Sequence, residues 1–150
     1  MKLTLQQIAD GEEEIVLRYR KMTPEISTLI ERINQETMTL LGRFEEKQYR
    51  ITPAEIYYFE SVDERLFAYT KTQTLQIMMT VTEVEHLLTE SGFFRCNKSM
   101  VLNVNRVIAV KSEMGNRINA TLDNGEHVMI SRHYARAFRE LLQRGGRNDE

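Results

Sequence analysis

Hydrophobic residues recur along this chain with a period that switches between two and three to four, and each switch predicts an element. Residues 1–8 alternate loosely, Asp10-Gly11 supplies a turn, and Ile15, Leu17 and Tyr19 share one face of a second extended run. Thr23 then reads as an N-cap, with Pro24 at the first helical position, where its missing N–H costs nothing. Ile26, Leu29, Ile30 and Ile33 follow at i, i+3, i+4 and i+7, which predicts a helix from Pro24 to about Gln35. With a further run ending at Phe44, the front of the chain is expected to be strand, strand, helix, strand. Its apolar stripe has to be covered by the rest of the chain or by a second copy.

From Tyr49 the pattern becomes a series of short β runs at 57–59, 66–69 and 75–79, separated by Val62-Asp63-Glu64-Arg65 and by residues 71–74. That spacing predicts an antiparallel meander. Thr80 and Glu83 form a capping box for a helix that turns Val84, Leu87 and Leu88 inward and stops at Gly92. A β run from 101 to 110 is expected next, then two more at 117–122 and 126–130, punctuated by Gly115-Asn116 and Asp123-Asn124-Gly125. The Asn-Gly pair predicts a tight type I′ hairpin, because such turns need positive φ at both central positions. Ser131 begins a last helix that buries Tyr134, Phe138, Leu141 and Leu142 and presents Arg132, Arg136 and Arg139 on its other face. Residues 145–150 read as a frayed tail. The fold class is therefore mainly β with short helices, an α+β arrangement. Phe93, Phe94, Val101, Val104, Tyr134 and Phe138 are expected in the core.

A chain of 150 residues fits one compact domain with a small appendage, and it can bury about two-thirds of its unfolded surface without disulfides or a metal. The single cysteine, Cys96, excludes a disulfide framework, and no run approaches the ~18 apolar residues of a membrane span. With no signal-peptide pattern, a cytoplasmic location is expected. The net charge of −2 conceals an asymmetry. Residues 1–44 carry −1, residues 45–90 carry −5, and residues 91–150 carry +4. A polyanion would meet the last third of the chain and be repelled by the middle.

Catalytic chemistry finds little to use. His86, His127 and His133 lack metal-ligand spacing, no Gly-rich phosphate loop is present, and nothing accompanies Cys96 that would make it a nucleophile. No enzymatic activity and no cofactor are expected. Cys96 is read as a small packed residue, with a redox role as the alternative if Arg95 and Lys98 stabilise its thiolate. Nucleic-acid chemistry is better served. Asn97 and Lys98 occupy a bend before a β run, and Arg132 sits in the first turn of the last helix. Lys and Arg donate to guanine acceptors and Asn pairs with adenine, while the helix start beside Ser131 offers N–H groups to a phosphate.

These residues lie within a longer pattern. The order 56–60, 66–70, 80–88, 93–104, Asn124-Gly125, and finally 130–134 (Ile-Ser-Arg-His-Tyr) resembles the LytTR DNA-binding domain over roughly residues 45 to 143. Its most diagnostic pieces are Phe-Arg-x-x-x-Ser-x-x-x-Asn, here from Phe94 to Asn103, and Ser-Arg-x-Tyr, from Ser131 to Tyr134. The resemblance implies an elongated fold of small antiparallel sheets that binds double-stranded DNA across successive major grooves through loops. The base-contacting loops of the family fall on the Asp63-Glu64-Arg65 turn, the Asn97-Lys98 bend and Arg132. Arg65, Asn97, Lys98 and Arg132 are thus the implied base contacts, and Asp63 and Glu64 depart from a DNA-friendly pattern. Arg95, Ser99, Ser131, His133 and Arg136 are the implied phosphate neighbours.

The resemblance further implies a transcriptional regulator of the type without a receiver domain, addressing direct-repeat sites as a homodimer and restrained in some cases by a small membrane protein. The expected organisation is an accessory segment at 1–44, which serves dimerisation or partner binding, a DNA-binding domain at 45–144 and a tail at 145–150. A protein-interaction or scaffold module regulated by a membrane partner is the alternative. RNA binding ranks third, because Tyr57, Phe67 and Tyr69 would have to form an exposed stacking platform.

Overall fold

The computed structural model describes residues 1–146. Residues 1–22 form no helix or strand, and apart from the half-buried Leu17 they are exposed. The two strands expected there are not formed: the alternation is present, but no strand of the same chain pairs with it. Helix α1 (Pro24–Thr37) starts as expected, with the Thr23 hydroxyl accepting from the Ile26 N–H at 3.2 Å. It buries Ile26 and Gln35 and packs against α3 (Arg132–Gly146) and the 3₁₀ turns Pro53–Glu55 and Thr89–Ser91.

Seven antiparallel strands form the main sheet in the order β2-β1-β5-β4-β3-β7-β6. They are β1 (Leu40–Phe44), β2 (Lys47–Ile51), β3 (Ile56–Val62), β4 (Arg65–Thr70), β5 (Thr74–Ile77), β6 (Phe93–Asn97) and β7 (Met100–Asn103). Because β1 pairs with both β2 and β5, the expected boundary between residues 44 and 45 cuts through a hairpin of the body. Only residues 1–22 stand apart. The run expected from 101 to 110 is also broken, by a 3₁₀ turn at Val104–Arg106 that sends the chain from β7 into a second sheet. That sheet is β10-β9-β8, with β8 (Val107–Glu113), β9 (Arg117–Leu122) and β10 (His127–Ile130).

Strand alternation divides the core in two. Ile56, Phe59 and Val101 point to one face of the main sheet, where helix α2 (Val81–Leu88) covers them with Val84 and Leu88. Tyr57, Cys96 and Leu102 point to the other face, beneath the small sheet and α3, against Ile118, Leu122, Ile130 and Phe138. Phe94, Val104 and Tyr134, expected in the core, are half-buried at its edge. Residues 145 and 146 of the expected tail are the last residues of α3, and residues 147–150 lie outside the described residues.

Turn chemistry differs from expectation in one place. Asn124 does not adopt positive φ; Gly125 alone does, at +90°, and the link is a three-residue loop closed by the Leu122 N–H to Glu126 carbonyl bond at 2.8 Å. The two-residue hairpin loops with positive φ at both residues are instead Glu45-Glu46 and Asp63-Glu64, and Gly115-Asn116 is positive at both within a three-residue loop.

One buried side chain ties the layers together. Asn103 is fully buried; its Nδ2 donates to the carbonyls of Ile56 at 2.8 Å and Pro53 at 3.4 Å, and its Oδ1 accepts from the Asn105 N–H and from Gln35 Nε2, both at 3.1 Å. Gln35 also donates to the Ser91 carbonyl at 2.6 Å, so α1 is hydrogen-bonded into the body. Asn103→Ala would strand several of these partners in a dry interior and should cost about 2 to 4 kcal/mol in urea denaturation. A chain beginning at residue 23 should melt close to the full chain, whereas one beginning at residue 45 loses α1 and β1 and should be strongly destabilised. Equal melting of the two truncations would contradict this placement of the boundary.

Candidate nucleic-acid interface

Three connections converge on one end of the main sheet. The β3–β4 turn places Asp63 and Glu64 there, with Arg65 exposed at the start of β4. Beside it runs the β6–β7 bend, because β3 pairs with β7 and the Ser61 N–H donates to the Ser99 carbonyl at 2.7 Å. The entry to α3 joins the same end through a backbone bond of 2.9 Å from the Ser131 N–H to the Cys96 carbonyl. That bond is possible because the β6–β7 register shifts between Arg95 and Asn97, leaving Cys96 without a partner across the ladder.

The result is an open cleft of about 710 Å³ lined by Asn97, Lys98, Ser131, Arg132, His133 and Tyr134. Residues from the bend and from the helix start, distant in sequence, thus face one space. Lys98, Arg132 and His133 are exposed, and Asn97 and Ser131 are half-exposed. Tyr134, expected in the core, lines the cleft as well and stacks edge-on with His133 and Phe94, at 4.7 and 6.3 Å between ring centroids. Arg65 does not line this cleft. It borders a shallower depression with Glu64, Met78, Thr80 and Glu83 at the same end of the sheet. Arg136 is exposed one turn into α3 and pairs loosely with Glu140 at 3.7 Å.

Two of the implied phosphate neighbours have their donors committed within the protein. The Arg95 guanidinium bonds the Asn97 carbonyl and Glu85 Oε1, each at 2.9 Å, and reaches the Lys98 carbonyl as well. It therefore braces both residues of the bend from beneath, anchored on α2. The Ser99 hydroxyl donates to Asn97 Oδ1 at 3.1 Å, which also accepts the Ser99 N–H at 2.9 Å, while Asn97 Nδ2 faces the Cys96 sulfur at 4.0 Å. Glu85, the anchor of this brace, was not singled out in the sequence. Its only signal is its place on α2 at the edge of the buried stripe of Val84 and Leu88.

Cys96 is fully buried, and desolvation pushes its thiol up to about 12 despite the nearby Arg95. A redox role that relies on a stabilised thiolate is therefore overturned by burial. Tyr57 is buried, and Phe67 and Tyr69 are half-buried, so the stacking platform required for RNA is not formed by these residues.

The model of the LytTr DNA-binding domain matches residues 46–143. The chain belongs to the LytTR family. Among its relatives, the transcriptional regulatory protein YpdB of Escherichia coli K12 is 32% identical over 94 residues, covering 61% of this chain and 38% of that protein. The sensory transduction protein LytT of Enterococcus faecalis is 26% identical over 98 residues, covering 65% of this chain and 40% of that one. A Staphylococcus aureus protein named an HTH-type transcriptional regulator is 23% identical over 145 residues, covering 95% of this chain and 98% of its own length. Among solved structures, the LytTr DNA-binding domain of a Bacillus cereus protein superimposes with a TM-score of 0.66 at 27% identity, covering 69% of this chain and 95% of that one. The LytTR chain described here spans well under half the length of YpdB and LytT. Its helices α2 and α3 are separated by five strands, so they do not form a helix-turn-helix.

Arg95→Ala should lower stability by about 1 to 3 kcal/mol, since it leaves Glu85 and two bend carbonyls without their charged donor. A variant of unchanged stability whose salt dependence of DNA binding falls by about one phosphate contact would instead make Arg95 a direct ligand. In the native protein Cys96 should react with a thiol reagent only as fast as the core opens, and rapid labelling at pH 8 would contradict its burial.

Proposed function

We propose that this LytTR chain is a cytoplasmic, sequence-specific regulator of transcription that reads double-stranded DNA through the loops at one end of its main sheet. The observation that carries the reading is the convergence of the bend at 97–98 with the start of α3 in one cleft open to solvent. Arg132 takes the role of principal base reader, because a guanidinium at a helix start addresses the two acceptors of guanine as a fork. Lys98 and Asn97 serve a neighbouring base, and Arg65 serves the adjacent groove segment. Phosphate contacts fall to Ser131, His133 and Arg136, aided by the open N–H groups of the first turn of α3. Arg95 and Ser99 act beneath them by setting the shape of the bend.

Asp63 and Glu64, beside Arg65, have a place in this reading. Repulsion between these carboxylates and the DNA backbone weakens sequence-independent binding, which leaves base contacts a larger share of the total. Binding to direct-repeat sites as a homodimer, with a membrane protein as a restraining partner, completes the proposal. A dimer joined through its front segments gains effective concentration on two neighbouring sites.

Sites selected from random duplex DNA supply the test. Arg132→Ala should lower affinity for the selected site by about 1 to 3 kcal/mol and relax preference at one base position. Equal losses on selected and random duplexes would leave Arg132 a phosphate contact. Lys98→Ala should weaken binding with no change in melting temperature. No salt-dependent binding to any duplex would sink the proposal in favour of a protein-interaction module.

A further inference from the structure

The front arm is the part of the molecule that the body leaves unexplained. Met1, Leu3, Leu5, Ile8, Ile15, Val16, Tyr19 and Met22 are each between 46% and 92% exposed, so eight large apolar side chains stand in water within 22 residues. None of the ion pairs among the described residues involves the arm, although it carries Glu12, Glu13 and Glu14 followed by Arg18 and Arg20. Ile15, Val16 and Tyr19 are strand-favouring types, and this unpaired segment leaves its backbone N–H and C=O groups open to another strand.

The order of charges identifies that partner. We infer that residues 12–20 pair antiparallel with the same residues of a second copy, about a two-fold axis through Val16. In that register Glu14 lies opposite Arg18 and Glu12 opposite Arg20, and each pair occurs twice. Ile15 lies opposite Leu17 and Glu13 opposite Tyr19. The strand pair then has one face of four Glu–Arg pairs flanking the two Val16 side chains. Its other face gathers Ile15, Leu17 and Tyr19 from both copies, with Glu13 at each end of the apolar strip. Leu17 is the arm residue before Thr23 that is already half-buried, which marks this second face as the one turned toward the bodies.

Competing arrangements fail on the same pattern. Parallel pairing sets Glu over Glu and Arg over Arg, and a slip of one residue puts Leu17 opposite Glu14, mixing charged and apolar positions on each face. A charge order that reads acid, apolar, base is complementary to itself in the antiparallel sense, as an interface with two-fold symmetry requires. The bend at Ala9–Gly11, where Gly11 has a φ of +94°, allows residues 1–8 to fold back as an outer strand. Leu5 then faces Leu17 and Leu3 faces Tyr19, and the ribbon grows to four strands. Two strands alone would be marginal.

This pairing gives the homodimer proposed above its interface, and it is tested without DNA, so its failure and that of the DNA reading are separable. The full chain should sediment as a dimer at micromolar concentration. Arg18→Glu/Arg20→Glu and Glu12→Arg/Glu14→Arg should each weaken the dimer about 100-fold, because all four Glu–Arg pairs become like-charged. Thermal melts should show the bodies of both variants still folded. Mixing the two variants should restore dimers made of one of each, and the chain carrying all four changes should pair with itself again. Val16→Cys should form a disulfide between copies under mild oxidation, since the two positions are directly opposite. Arg18→Cys should not, because its copies lie about 13 Å apart along the strands. A monomeric parent chain, charge variants that dimerise as well as the parent, or a mixture that stays monomeric would each overturn the inference.

Discussion

The bond from the Ser131 N–H to the Cys96 carbonyl decides where the last helix begins relative to the sheet. It exists because one residue of β6 drops out of register with β7, and a carbonyl freed inside a sheet must find another donor. From that bond follow the position of Arg132 beside Lys98, the seating of Phe138 against the far face of the main sheet, and the cleft between bend and helix. Arg95 performs the complementary task from the other side, holding the outer carbonyls of the bend on Glu85 of α2. The strip from Phe94 to Asn103 that marks the LytTR family is thus largely architectural. Phe94 packs on Tyr134 and Phe138, Arg95 and Ser99 shape the bend, and Asn103 fastens α1 and β3.

Charge is handled locally rather than by a basic surface. In a chain of net charge −2, three exposed cations, Arg65, Lys98 and Arg132, project from three adjacent connections at one end of the sheet. Close contact with base edges depends on short-range geometry and tolerates an acidic middle region.

The helices were legible because their signals are local: the caps at Thr23 and Thr80 lie next to the stripes they introduce, and both caps form. The meander β3 to β5 was legible for the same reason. The break after Asn103 was not, because the turn at Val104–Arg106 contains no glycine or proline and is set by a side chain that bonds residues far away in sequence. The hairpin turns at Glu45-Glu46 and Asp63-Glu64 were hidden likewise, since glutamate does not advertise positive φ. Strands expected at 1–8 and 15–19 have the right alternation, but alternation alone does not supply a partner strand, and none is formed. At the site, residue types alone suggested Asn97, Lys98 and Arg132 singly. Only the family pattern put them together, and Glu85 escaped both readings.

The central claim is that the loops at one end of the main sheet form the DNA-reading surface. Backbone amide chemical shifts followed during titration with a selected duplex test it most directly. Residues 62–65, 97–99 and 131–136 should shift together and saturate at one equivalent, while β8, the Met114–Asn116 turn and residues 1–22 stay in place. Shifts concentrated on β8 and β9, with the cleft of Asn97 and Arg132 unmoved, would contradict the account.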